Sequence, residues 1–416
     1  MQRVLLLLPS AGYRNDDFLA AAKALAVEII SAANHCHRLA PLWGMSPILS
    51  VPFDQPEAAA EQVLAALGRR PDALLAVDDS GLELAALLRE RLGLPGNPAA
   101  AVRATRDKLA FRGLLRGGGL NCPDFCHFDR ATVGATLPSP LRYPVVVKAR
   151  RLSASRGVIR ADTPREFTRA VHRVREIQRG ADRDAAKLGL VVEGFIPGRE
   201  HAVEGLLQGT RLRVLALIDK PDPLDGPHFE ESLYVTPSRL PRPTQDAIVD
   251  AVERACALAG LVSGPVHAEM RVNDAGVWLL EIAARSIGGL CGRMLRQALG
   301  MSLEELILRD ALGRPLPPAR HDEATGVMMI PIPRRGILRG THGVDTARAV
   351  AGVTDIRITA SPGQVIAPPP EGASYLGFIF ARGTTPDAVE WSLREAHRGL
   401  VFDIQPGIPV GRARTR

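Results

Sequence analysis

Aromatic residues are scarce in this chain. Phe, Tyr and Trp together make up 4% of 416 residues, too few to build the base-stacking platforms of a single-strand nucleic-acid groove. Cysteine numbers only five (Cys36, Cys122, Cys126, Cys256, Cys291), an odd and scattered set that excludes a disulfide framework and suits reduced thiols in a cytoplasm. Long apolar runs are missing as well. The run at residues 4–8 spans five positions, against about 20 for a membrane helix. It follows Met1-Gln2-Arg3 without a small-residue cleavage site, so it reads as a buried first strand and not as a signal peptide. The charge balance is 52 − 45 = +7, but the arginines are dispersed, and the short basic tail at 411–416 reads as a frayed terminus. Nucleic-acid binding, secretion and membrane insertion are not expected.

Lysine is the other shortage. Only five of the 52 cations are lysines, namely Lys23, Lys108, Lys148, Lys187 and Lys220. Where arginine is the default cation, a lysine inside an apolar strand points to a need for its compact ammonium. The remaining composition, 46% hydrophobic and 23% charged, is that of a globular chain, and its length suits two to three domains. Strands and helices alternate over the first hundred residues, with strands expected at 4–8, 26–30 and 73–77 and helices at 16–25 and 58–67. This βαβ rhythm implies a parallel sheet with ligands at the carboxyl ends of its strands, near residues 10–13 and 78–81. Pro- and Gly-bearing breaks near 95–98 and 315–318 mark boundaries. The expected organisation is an α/β domain (1–104), an α+β domain (105–317) and a small C-terminal α+β domain (318–410).

Chemistry is concentrated in the middle. Tyr143-Pro-Val-Val-Val-Lys148 is a buried strand ending in an ammonium, which is costly to bury unless an anion meets it. Ser153-Ala-Ser155-Arg156-Gly157 follows, either a phosphate-folding loop with backbone N–H groups and an arginine or a plain polar hairpin. Leu190-Val-Val-Glu193-Gly-Phe195-Ile-Pro-Gly-Arg-Glu200 is an apolar strand running into a turn; it is an ordinary strand end or a linker contacting an adenine edge and ribose hydroxyls. His267-Ala-Glu269 and Leu280-Glu281 lie on two runs joined by Asn273-Asp-Ala-Gly276, a hairpin signal that brings Glu269 and Glu281 to one face. Two such carboxylates repel unless a divalent cation bridges them or arginines pair with them. Arg285 can clamp a phosphoryl oxygen, and Gly288-Gly289 offers N–H groups for a substrate carboxylate.

In this order, these motifs resemble the ATP-grasp superfamily of carboxylate–amine/thiol ligases over roughly residues 1–315. The form Glu281-Ile-Ala-Ala-Arg285, after His267-Ala-Glu269, is most similar to the L-amino-acid ligase branch. The resemblance implies a pre-ATP-grasp parallel-sheet domain, a two-lobed ATP-grasp domain with a mobile lid at about 121–190, and a compatible C-terminal domain. It implies ATP contacts from Lys108, Lys148, Ser153, Ser155, Arg156, Gly157, Glu193, Phe195 and Glu200, and metal ligation of Mg²⁺ (or Mn²⁺) by Glu269 and Glu281. Lys148 and Arg285 would be catalytic. Ala283 stands where the family often has a further metal-binding Asn, so one or two ions are both open. Ser286-Ile-Gly-Gly after Arg285, and the lack of a biotinylation site, disfavour a biotin-carboxylase-like carboxylase.

The implied reaction joins a small carboxylate to an amine through an acyl phosphate, releasing ADP and phosphate, in a cytoplasmic enzyme; related ligases are often homodimers, and the sequence leaves the oligomeric state open. A non-catalytic ATP-binding regulator is the competing reading. Substrate contacts are expected from Gly288 and Gly289, from Lys220 and His228 in an irregular 219–231 segment that is equally a solvated loop, and from His267, which is equally a hydrogen-bonded core histidine. Zinc at His35-Cys36-His37 or Cys122/Cys126-His127 lacks the paired Cys spacing.

Overall fold

The structure, a computed structural model, describes residues 1–10, 12–34, 48–129, 136–181, 185–318, 323–372 and 374–406. The N-terminal sheet contains strands β1 (Arg3–Leu8), β2 (Glu28–Ala33), β3 (Ile48–Ser50) and β4 (Ala73–Ala76) in the order β3-β2-β1-β4, with all pairs parallel. Helices α1 (Asn15–Ala24), α2 (Pro56–Ala66) and α3 (Leu82–Leu92) connect or follow these strands. The second strand starts two residues later than periodicity suggested. Its apolar positions pair with β1 from Glu28 onward, whereas Ala26 takes a left-handed turn conformation. The carboxyl ends of β1 and β4 open toward the rest of the chain, as a parallel sheet requires of a ligand site.

Two short helices, α4 (Ala99–Arg106) and α5 (Lys108–Gly117), lead out of this layer. Asp107 caps α5 by accepting from the Leu109 and Ala110 amides, which sets Lys108 at the first helical position. A four-stranded antiparallel sheet follows, built from β5 (Phe125–Phe128), β6 (Val145–Ala149), β7 (Val158–Ala161) and β8 (Leu190–Gly194) in the order β5-β8-β6-β7. Helix α6 (Pro164–Ala181) covers one face. Its apolar residues Phe167, Ala170, Val171 and Val174 recur at helical spacing and pack with Val145, Val147, Ala149, Leu190 and Val192 into a separate core. This lobe, called the lid below, contains most of residues 121–190.

The largest sheet has eight strands. Its members are β9 (Arg199–Gln208), β10 (Arg211–Asp219), β11 (Leu233–Thr236), β12 (Ser263–Asn273), β13 (Gly276–Ala283), β14 (Ala324–Ile330), β16 (Val353–Ile358) and β18 (Gly377–Gly383), in the order β13-β12-β9-β10-β11-β14-β18-β16. A second, three-stranded sheet contains β15 (Gly336–His342), β17 (Val365–Ile366) and β19 (Val401–Gln405). Helix α7 (Arg242–Ala259) buries Ile248, Ala251 and Val252 on one face of the large sheet; α8 (Leu295–Leu299) and α9 (Leu303–Ala311) lie on the side of α1. The C-terminal segment adds α10 (Val344–Arg348) and α11 (Pro386–Arg398), the latter on β14 and β18.

Residue 318 therefore falls in a connection and not between sheets. β11 hydrogen-bonds directly to β14 from Leu233↔Met328 to Thr236↔Thr325. One apolar cluster unites Val4 and Leu75 of the first layer with Leu206, Ile307, Val327 and Phe378. The proline-rich break was legible; the strand pairing across it was not.

Candidate functional site

A cavity of about 490 Å³ lies where these layers meet. The N-terminal sheet contributes Gly12, Tyr13, Asp78 and Asp79 from the ends of β1 and β4. The lid contributes Lys148 and the 153–158 loop, and the large sheet contributes Glu200, His267, Glu269 and Glu281.

Strand alternation explains how these side chains arrive there. In β6, Val145, Val147 and Ala149 enter the lid core, so Val146 and Lys148 face the other way and line the cavity. In β9, Glu200 and Glu204 share the parity of Ala202 and Leu206, and in β12, His267, Glu269 and Arg271 share another face. Glu269 does pair with Glu281, but only through an irregularity in the ladder. From Asn273↔Gly276 to Met270↔Leu279 the pairing is regular; then it shifts, and Glu269 pairs with Glu281. Without that bulge at Leu280, Glu269 would face Leu280.

Each charge has a defined partner. Lys148 Nζ lies 2.5 Å from Glu193 Oε1, and Arg112 Nε lies 2.8 Å from Glu193 Oε2. Burial alone would raise the Glu193 pKa, but Arg112 and Lys148 hold it down to about 2. The Lys148 pKa is lowered, chiefly by burial, with Arg112 and Lys108 adding to the effect and Glu193 opposing it. Lys108 Nζ donates to the Leu152 carbonyl at 2.7 Å and lies 3.6 Å from Glu281. Arg285 reaches Asp79 at 2.8 Å; burial opposes its charge, yet Asp79 raises its pKa further.

Lys220 is buried amid three carboxylates, Glu231 at 2.5 Å, Glu200 at 2.8 Å and Glu269 at 2.9 Å. Among the described residues, Glu200, Glu231 and Glu269 form the one group of three or more side chains whose ligand atoms all lie within 4.8 Å of one another, and Glu281 stands outside it. Burial and the Glu269 charge push Glu231 above its ordinary range while Lys220 opposes them; Glu269 is held well below its range by Lys220 and His267, against burial. His267 contacts Glu204 at 3.2 Å and Glu269 at 3.4 Å. These carboxylates raise its pKa to about 9 although burial would lower it.

Most of the expected site residues meet here. Lys108, Lys148, Ser153, Ser155, Arg156, Glu193, Phe195, Glu200, His267, Glu269, Glu281, Arg285, Gly288 and Gly289 all line the cavity. Gly157 sits behind its loop, with its amide turned to the Pro370 carbonyl at 3.2 Å.

Several roles need correction. Both Glu193 oxygens are committed to Arg112 and Lys148, so an adenine edge would be read by neighbouring backbone and not by this carboxylate. The Phe195 amide donates to the Pro144 carbonyl at 3.0 Å, and its ring is stacked by Arg160 and Arg271, with guanidinium carbons 4.1 and 4.9 Å from the centroid. Glu200 is shared between Lys220 and Arg271. Lys220 lies beneath the cavity as a counter-charge and does not line it; His228 lines a second depression beside Arg173 and Glu371. Gly288 and Gly289 precede only a short 3₁₀ turn at Cys291–Met294. His127 Nε2 contacts the Leu188 carbonyl at 2.8 Å and Cys122 Sγ contacts backbone carbonyls, so no zinc group forms there; His35, Cys36 and His37 lie outside the described residues.

Sequence reading missed four supports. Arg112, four residues after Lys108, shares its helix face and was detectable by that spacing. Glu204 accepts from the Ile287 amide at 3.0 Å, and Arg14 donates to Ser286 Oγ, so together they hold the 286–289 loop. Glu231, by contrast, carried no periodic signal.

The residues present fit a nucleotide and a divalent cation. The buried Arg156 Nε has no partner within the protein, as expected of a phosphate contact awaiting an oxyanion. Glu269 and Glu281 offer facing hard oxygen donors, although buried Ala283 supplies none.

A lobe with its own core, its 153–158 loop and two carboxylates opposite each other on β12 and β13 enclose this cavity. Residues 141–294 match the ATP-grasp domain, and residues 328–405 match the L-amino acid ligase C-terminal domain 2. The chain therefore carries an ATP-grasp domain followed by that C-terminal domain. It is 31% identical over 303 residues to carnosine synthase 1 of Gallus gallus, covering 68% of this chain and 32% of that protein. It is 23% identical to the uncharacterized protein y4rH of Sinorhizobium fredii, covering 75% and 64%. The chain thus spans about a third of the carnosine synthase it matches. The crystal structure of an L-amino acid ligase from Bacillus licheniformis superposes with a TM-score of 0.80 at 26% identity, covering 97% of this chain and 99% of that one. Phosphoribosylglycinamide synthetase from Anaerococcus prevotii shares the fold, with a TM-score of 0.69 at 17% identity and coverage of 97% and 100%.

Proposed function

We propose that this chain joins the carboxylate of an amino acid or similar small acid to an amine, with ATP converted to ADP and phosphate. The observation that carries this reading is the convergence of Lys108, Lys148, Arg156, Arg285, Glu269 and Glu281 on one cavity. A bare nucleotide store has no use for Arg285 poised beside the paired carboxylates.

In this reading the substrate carboxylate, held near the Gly288 and Gly289 amides, attacks the γ-phosphorus. An O–P bond forms and the bond to the ADP oxygen breaks. Lys148 and Arg285 take up the charge that spreads over the phosphoryl oxygens; such preorganised groups are each worth about 10²–10³ in rate. Glu269 and Glu281 would hold the divalent cation, Mg²⁺ or Mn²⁺, which when bound neutralises phosphate charge. The amine, as its free base, then attacks the acyl carbon. The C–N bond forms, phosphate departs with the C–O bond pair, and the surplus amine proton leaves with it. An acyl phosphate hydrolyses in water, so the lid must close over it. The carnosine synthase and L-amino acid ligase likenesses support amino acids as the substrate class. We place the enzyme in the cytoplasm, in keeping with its unpaired described cysteines, and propose a homodimer, as the biotin carboxylase domain of the Hydrogenobacter thermophilus 2-oxoglutarate carboxylase, which shares the fold, is a dimer. No helix among the described residues is long and apolar enough to cross a membrane.

The test is ADP release across a panel of amino acids with mass detection of the amide product. Product with at least one pair, lost in Lys148→Met and Glu281→Gln, is expected. ADP release with no acceptor pair, or normal turnover in either variant, would overturn the assignment.

A further inference from the structure

The phosphate loop is an unrelaxed piece of backbone. Ala154 and Ser155 sit at φ +55° and +54°, and Gly157 at +64°, a region that residues with a Cβ enter reluctantly. Internally the loop is tied by Arg156 N to the Ser153 carbonyl at 3.3 Å and by the Gly157 carbonyl to Ala149 N at 2.9 Å. Such a loop needs an external hold.

That hold comes from more than two hundred residues away. The Gly157 amide donates to the Pro370 carbonyl at 3.2 Å. The next residue, Glu371, pairs with Arg173 Nε on α6 at 2.5 Å. The 368–372 segment is itself a closed turn, with the Gly372 amide donating to the Pro368 carbonyl at 3.1 Å. A Cβ at Gly372 would come within 1.8 Å of the Ala367 carbonyl oxygen, so glycine is needed to close it. Its two ends lead into β17 and β18, which seat it on the C-terminal sheets. The lid has its own core. At one end it is tied to the body by Arg150 on Asp107 and by Lys108 Nζ on the Leu152 carbonyl; beside the 368–372 segment, Arg160 N donates to the Pro227 carbonyl at 2.9 Å and Arg160 Nη1 to the Asp225 carbonyl at 2.8 Å. A depression lined by Arg160, Arg173, His228 and Glu371 lies between the Arg160 bonds and the Glu371 pair.

We infer that residues 368–372 form a strap that positions the phosphate loop and holds the lid down, with Glu371 and Arg173 as positioning residues acting through the loop and not on substrate. The catalytic consequence rests on the ligase reading above. The strap places the C-terminal part of the chain in control of how long the acyl phosphate stays dry.

The test uses the full chain with Glu371→Gln, Arg173→Gln and the exchanged pair Arg173→Glu with Glu371→Arg. An exposed ion pair of this kind accounts for roughly a 1.5- to 5-fold change in an equilibrium. Each single variant should raise KM for ATP about 2- to 5-fold with kcat within about twofold, and should release more ADP than amide formed; the exchanged pair should restore both. Single variants with wild-type KM and one ADP per amide, or an exchange that restores nothing, would overturn the strap. A readout independent of ligation is trypsin cleavage within α6 in the presence of Mg²⁺ and ADP. Faster cleavage in Glu371→Gln supports the strap even if no acceptor is ever found, and equal cleavage refutes it whatever the activity.

Discussion

Glu269 and Glu281 stand opposite each other across β12 and β13, yet each answers to a different lysine. Glu269 lies 2.9 Å from Lys220, and Glu281 lies 3.6 Å from Lys108. Lys220 is buried and committed to two further carboxylates, whereas Lys108 sits at the rim of the cavity. One carboxylate of the pair is therefore fixed by the protein interior, and the other remains available to what enters the cleft.

Lys220→Met should be strongly destabilising. It leaves Glu200, Glu231 and Glu269 without their shared cation, and removing one partner of a buried ion group costs about 3–5 kcal/mol. Urea unfolding should show a lower midpoint, partly recovered when Mg²⁺ is added. An unchanged midpoint would mean that the three carboxylates do not depend on this ammonium.

Acid should weaken the Glu193 cluster within a defined window. The Glu193 carboxyl titrates at about 2 when folded, against about 4.3 for a free glutamate. Because the folded value is the lower one, the stabilisation is complete above the unfolded value and is lost as pH falls through about 4 toward 2, a change of about 3 kcal/mol. Stability measured from pH 6 to pH 2 should fall less steeply in Glu193→Gln than in the native chain. Equal slopes would assign the acid sensitivity to other groups.

Asp79→Asn should lower turnover without touching nucleotide affinity. Asp79 crosses from the end of the first parallel layer to grip Arg285 at 2.8 Å, and a misplaced catalytic group costs up to about 100-fold. A fall in kcat of about 10- to 100-fold, with KM for ATP unchanged, is the expected kinetic pattern. A change in KM alone would assign Asp79 to ATP binding.

The local chemistry was readable because it obeys short-range rules. Lys148 was readable as an ammonium at the end of an apolar strand, which needs an anion beside it, and the parallel layer from its βαβ rhythm. His228 and Lys220 illustrate the opposite case. Both occur in one irregular, proline-bearing stretch, where no period says which side chain points where; the structure turns Lys220 under the cavity and His228 away from it.

The amino-acid order by itself determined the set of charged groups, the elements that carry them and their succession along the chain, since these depend on propensity and periodicity over a few residues. Tertiary structure alone decided the pairings across long separations. The bulge at Leu280 sets the register of the two glutamates, β11 joins β14 across an apparent boundary, and the Pro370 carbonyl finds the Gly157 amide. Those choices follow from burying one continuous apolar surface while leaving each buried polar group a partner, a condition satisfied only when the whole chain has packed.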